Sequence, residues 1–225
     1  MDGAARASAT PAARAISAFE LALGAAVVIG HNVFHVLPNE VPILVVLGLV
    51  SMRARNGGFA ALGFRRPESW MRVVAIALAA AALRIALGHF AIDPLTALVW
   101  PPAIAPEGVE SISGDWRTAL IYLGIVWTFA AFGEEIGYRG YLMNRAADAG
   151  GRTTVAWWFA VIVVAMLFGY GHYYKGPAGI VDSGVAGLIL GAAYLASGRV
   201  LWTTILAHGL IDTFGVVALF WGYDI

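Results

Sequence analysis

Cysteine is absent from all 225 residues. Its absence excludes disulfides, thiol nucleophiles and cysteine-ligated metal. Charge is scarce as well. Only 12% of residues are Asp, Glu, Lys or Arg, against about 25% in an ordinary soluble domain. The 14 basic and 14 acidic residues cancel, which leaves no case for nucleic acid as a partner. Lysine occurs once, at Lys175. No internal repeat is visible, so the inverted-repeat signature of many transporters is missing. What the chain does have is apolar residues, 60% of the total. It therefore reads as an integral, polytopic membrane protein whose length suits one bundle rather than several domains.

Residues 1–14, rich in Ala, Ser and Thr with Arg6 and Arg14, read as a short disordered N-terminal tail. The first apolar run shows no convincing small-residue cleavage site and reads as a retained helix. Residues 15–225 then make a single transmembrane domain. A spanning helix needs about 20 mostly apolar residues. Runs at about 15–37, 40–53, 71–91, 117–133, 154–173, 183–197 and 201–221 are the candidates. The fold class expected is all-α, a polytopic membrane bundle of about seven transmembrane helices, with six or eight as alternatives. The second and sixth runs are short, which suits tilted, extended or re-entrant segments.

Orientation follows from arginine. Arg53, Arg55, Arg65, Arg66 and Arg72 crowd one loop, whereas 92–116 carries Asp93, Glu107, Glu110 and Asp115 with no basic residue. Basic loops stay inside. The N-terminus is expected to be cytoplasmic and 92–116 external. Many alanines, and arginine in preference to lysine, point to a bacterial inner membrane.

Against this apolar background Glu134 and Glu135 stand side by side. A charged side chain near the bilayer centre costs from about 2.5 to more than 10 kcal/mol, so the pair is hard to explain as packing. On a helix Glu135 and Arg139, four apart, share a face, while Glu134 projects about 100° away. One carboxylate is thereby neutralised and its neighbour stays available as a general base. The alternative is that all three snorkel at the cytoplasmic end of the fourth span. Beyond them, His172 closes an apolar run and shares a face with Phe168. His208 and Asp212, four apart in the last span, suit an Asp-oriented imidazole or two metal ligands. His31 and His35 have the same spacing but lie near a span end, where interfacial side chains are the simpler reading. Glu20 and Arg84 are isolated intramembrane charges that pair with each other or snorkel. The unequal depths of Glu134 and His172, about 9 Å by helical rise, require a kink or non-helical stretch, for which Gly133, Gly137 and Gly140 are candidates. Ser183, Gly187 and Gly191 at four-residue spacing read as a close helix contact.

Three motifs in order resemble the CPBP family, the CAAX-processing and bacteriocin-processing (ABI) intramembrane endopeptidases. They are Glu134-Glu135-Ile-Gly-Tyr-Arg139, Phe168-Gly-Tyr-Gly-His172 and His208-Gly-Leu-Ile-Asp212, within about 115–222. The resemblance implies an all-helical protease that cuts a membrane-anchored protein or peptide inside the lipid bilayer. It implies that Glu134 activates water, that His172 assists, and that His208 and Asp212 complete a site supported by Glu135 and Arg139. Asp212 stands where Asn is also usual. An ionised Asp cannot donate to an oxyanion. A protonated Asp212 could do so, or Asp212 could orient His208, and the departure slightly raises the metal reading. No cofactor is obligatory on this reading. Zinc at Glu134, His172, His208 and Asp212 is the metalloprotease variant. The alternatives of other classes are a non-proteolytic scaffold or immunity-type module of the same fold and an ion or metal transporter. A retinal protein is disfavoured, since Lys175 is not in the last span.

Overall fold

The computed structural model describes residues 10–56 and 58–223. Among these the chain is all-α, without a strand. Seven helices follow one another: α1 (Pro11–Asn32), α2 (Glu40–Asn56), α3 (Trp70–Thr96), α4 (Trp116–Ala149), α5 (Thr154–Tyr170), α6 (Gly176–Ala196) and α7 (Leu201–Phe220). Five of them, α1, α3, α4, α7 and α6 with its preceding turn, are long and apolar enough to cross a membrane. The protein is an integral membrane protein. Helix α5 is apolar but has 17 residues, as does α2.

The tail reading falls mostly on residues 1–9, which lie outside the described residues. Its last residues are helical. Thr10 caps α1, its hydroxyl accepting from the Ala13 N–H at 3.3 Å, and Pro11 opens the first turn. Arg14 belongs to that turn and donates to the Ala149 carbonyl at 2.9 Å. Helix α4 is capped by Asp115. The Thr118 hydroxyl and the Arg117 N–H both donate to its carboxyl, and these bonds hold its pKa below the usual aspartate range. Large apolar side chains such as Phe19, Phe129, Val155 and Phe159 are exposed on the outer helix faces, where lipid rather than water is the natural solvent.

Two expectations about charge are corrected. Glu20 and Arg84 neither pair with each other nor snorkel. Glu20 on α1 takes Arg55 of α2 at 2.8 Å and Arg145 of α4 at 2.7 Å, and Arg145 continues through Asp148 to Arg152 at 2.7 and 2.6 Å. Arg84 of α3 pairs with Asp182 of α6 at 2.5 Å. The reason is that each charge lies on an inward face. A buried ion is tolerated only with a partner within reach, and neighbouring helices supply it.

Helix α4 also runs on from the expected end at 133 to Ala149. It winds as a π-helix over Val126–Glu134 and Ile136–Leu142, a rare i→i+5 geometry that concentrates at functional sites. The winding shortens the α4 side and does not offset the depth mismatch, which is taken up by the non-helical residues 150–153 and by the end of α5 at Tyr170. The three glycines serve close approach instead. A Cβ on Gly133 would meet Val41 at 2.7 Å, on Gly137 Leu44 at 3.0 Å, and on Gly140 the Leu62 carbonyl at 3.2 Å. They let α2 and the following turn lie directly on α4.

Candidate active site

The fold brings the C-terminal half of α4 against α5, α6 and α7. Glu135 is fully buried and Arg139 is 1% exposed, which rules out snorkelling at a span end. Arg139 Nη1 donates to Glu135 Oε1 at 2.7 Å, and Nη2 donates to the Gly187 carbonyl of α6 at 3.2 Å. That carbonyl is within reach because α5 and α6 touch closely. A Cβ on Gly187 would meet the Ala165 Cα at 2.9 Å. The small-residue stripe is therefore a packing device, as its spacing suggests, and it also supplies a ligand for the arginine.

His208 of α7 approaches from the other side. Its Nδ1 donates to the same Glu135 Oε1 at 2.8 Å, and its Nε2 faces Asp212 Oδ2 at 3.5 Å. Glu135, Arg139, His208 and Asp212 thus form one chain of polar contacts. Phe168 lies under it. The Arg139 guanidinium stands 4.5 Å from its ring centroid, and the rings of His172 and His208 lie 4.9 and 5.9 Å away. Phe168 is thus the shared floor of the cluster, with the cation on its ring face. Helix α5 ends at Tyr170, and the chain turns so that His172 Nδ1 donates back to the Phe168 carbonyl at 2.9 Å. That bond fixes the tautomer of the neutral ring and leaves Nε2 as its lone-pair nitrogen.

Glu134 is placed differently from its neighbour. It is partly exposed as a residue, but its Oε2 is buried and has no hydrogen-bond partner among the described residues. Glu135 Oε2 is buried in the same way. Glu134 lies within electrostatic reach of His208, Asp212, Glu135 and Glu40. No hydrogen bond links it to His172 or His208 among the described residues. The structure therefore joins four of the six expected residues by direct contact, brings His172 in through Phe168, and leaves Glu134 unbonded beside them.

Residues that sequence reasoning passed over also shape the site. Glu40, the first residue of α2, is buried and faces His31 Nε2 at 3.4 Å. Tyr138 packs edge-on to Phe168 at 5.0 Å. Trp127 donates to Thr213 at 3.1 Å and covers Gly209, next to His208. An acid opening an apolar run was the available signal for Glu40. His35 lies beyond the end of α1 and is exposed, so it does not converge with His31.

Among the described residues no three His, Asp or Glu side chains are arranged to hold a metal ion. Both ring nitrogens of His208 already face carboxylates, and His172 Nδ1 is bonded to the backbone. The zinc ligand set expected at Glu134, His172, His208 and Asp212 does not fit this arrangement.

Residues 116–214 match the family model for type II CAAX prenyl endopeptidase Rce1-like proteins. This segment is an Rce1-like domain. It is somewhat under half of the chain and contains all six residues above. The Rce1-like family is a family of intramembrane proteases, so membership implies a protein substrate. No curated protein and no solved structure matches the chain. Within the Rce1-like segment lie the π-wound part of α4, all of α5 and α6, and α7 as far as Phe214. Helices α1 to α3 lie outside the matched segment.

Proposed function

We propose that the protein is an intramembrane endopeptidase that hydrolyses a peptide bond of a membrane-associated protein or peptide through water activated by Glu134. The observation that carries this reading is the asymmetry of the glutamate pair. Each glutamate has a buried Oε2 without a partner, but Glu135 Oε1 is held by an arginine and a histidine, while neither oxygen of Glu134 is hydrogen-bonded among the described residues. A buried carboxylate oxygen left without a partner is costly, and such groups are retained where they act on a ligand.

In this scheme Glu134 takes a proton from water as the water oxygen bonds to the substrate carbonyl carbon. The same proton passes to the amide nitrogen as the C–N bond breaks, giving a carboxylic acid and an amine. His172, with its Nδ1 proton committed to Phe168, offers Nε2 as an acceptor for the attacking water. Arg139 and His208 hold Glu135 and keep two acids from sharing one space unneutralised. Asp212 orients His208, the role the ion-pair geometry supports. The donor arrangement favours this route over one that depends on a resident metal. The substrate is proposed to be anchored in the bilayer that surrounds the protein, in a bacterial inner membrane.

The test compares protein termini in membranes of cells carrying wild-type protein or Glu134→Gln. New termini present only with wild type are expected. Identical terminal inventories at equal expression would overturn the proposal.

A further inference from the structure

Lys175 is the only lysine in the chain, and it stands three residues after His172. The two are joined by a 3-10 turn, Tyr173–Lys175, in which the Lys175 N–H donates to the His172 carbonyl at 2.9 Å. The turn is pinned from outside, since the Ile104 N–H donates to the Lys175 carbonyl at 3.0 Å. The lysine stem packs along Gly179 of α6. Its Nζ lies 5.9 Å from the Tyr174 ring, which in turn lies 6.2 Å from the His172 ring. Among the described residues Lys175 makes no ion pair, unlike Arg55, Arg84, Arg139, Arg145 and Arg152, which are all paired.

The surroundings are acidic. Glu134, Glu40 and Asp212 are all within electrostatic reach of Tyr174, and Lys175 is within reach of Asp212 and His172. Beside His172 itself the charged groups within reach are Lys175, His208 and Arg139. Arg139 and His208 are bound to Glu135, so among these it is the long, half-buried lysine, without a carboxylate of its own among the described residues, that is left to meet an anionic group.

We infer that Lys175 is a specificity-determining residue that binds a carboxylate of the substrate peptide beside His172. The inference rests on the endopeptidase reading and names the substrate chemistry that reading leaves open. The carboxylate has two sources, the free chain end or an acidic side chain near the scissile bond.

The experiment uses the full chain in liposomes with palmitoylated decapeptides of randomised sequence, read by mass spectrometry. Three sets are compared: neutral peptides with a free C-terminal acid, the same peptides as C-terminal amides, and amides with one added Asp. Wild type is expected to cleave one of the carboxylate-bearing sets with kcat/KM about tenfold or more above the neutral amides, the strength of a charge-assisted hydrogen bond. The preferred set identifies the source. In Lys175→Met the ratio is expected to fall to about one through KM, and in Lys175→Arg to persist. Equal cleavage of all sets by wild type would overturn the inference, as would a preference that survives in Lys175→Met. An equal slowing of all sets in Lys175→Met would also overturn it, since the lysine would then only balance Asp212. Folded wild-type protein that cleaves no set would overturn the endopeptidase reading itself, and this inference with it.

Discussion

At the scale of single residues, two adjacent glutamates do different jobs because their neighbours differ. Glu135 shares its Oε1 between Arg139 and His208, and both partners are almost fully buried. Removing the arginine leaves that carboxylate buried with half of its compensation gone. Arg139→Met is expected to destabilise the fold by about 3–5 kcal/mol, the usual cost of breaking a buried pair. Denaturant unfolding in detergent micelles measures it. A loss below ~1 kcal/mol would show that the pair is not a structural lock. The Glu135–Arg139 contact was legible from four-residue spacing alone. The pairings of Glu20 and Arg84 were not, because Arg145 and Asp182 lie about a hundred residues or more away in sequence and spacing carries no signal at that range. For the same reason the hydrogen bond from His208 to Glu135, 73 residues apart, was not legible in the sequence.

Between elements, glycine decides how near two helices come. A methyl group on Gly187 would lie 2.9 Å from the Ala165 Cα, a backbone atom that cannot move aside. Gly187→Ala is expected to cost about 1–3 kcal/mol by overpacking, and to loosen the Gly187 carbonyl that Arg139 uses. Gly184→Ala is its control. There the nearest atom is at 3.7 Å, an ordinary contact, and alanine suits a helix better. Thermal unfolding of the two variants should show a lower Tm for the first alone. Equal melting temperatures would contradict the packing account. The apolar runs announced every helix, but not their ends. Helix α4 outran its expected end because Arg145 and Asp148, which resemble a charged loop, turn inward to Glu20 and to each other. Its π winding left no trace in the pattern, since hydrophobic periodicity is read against a regular 3.6-residue turn.

For the whole molecule, the arginine-rich connection between α2 and α3 and the acidic connection between α3 and α4 predict opposite sides of the membrane. The absence of cysteine makes this simple to check. Glu68→Cys and Ser113→Cys each introduce one thiol at an exposed position. A membrane-impermeant maleimide is expected to label Cys at 113 in intact cells, and Cys at 68 only after lysis. The reverse pattern would invert the orientation. Helices α1 to α3 contribute to the interior through Glu20, Arg84 and the α2 contact with α4. The Rce1-like segment is thus packed against and ion-paired with helices outside the matched residues.

The central claim is that Glu134, and not Glu135, activates the water. Single-turnover cleavage of a substrate found by terminal proteomics, measured for Glu134→Gln with its Tm alongside, tests this most directly. The account predicts a wild-type melting temperature with the rate lowered by about 10²-fold or more, the contribution expected of a general base. A Glu134→Gln enzyme that cleaves at the wild-type rate would contradict it.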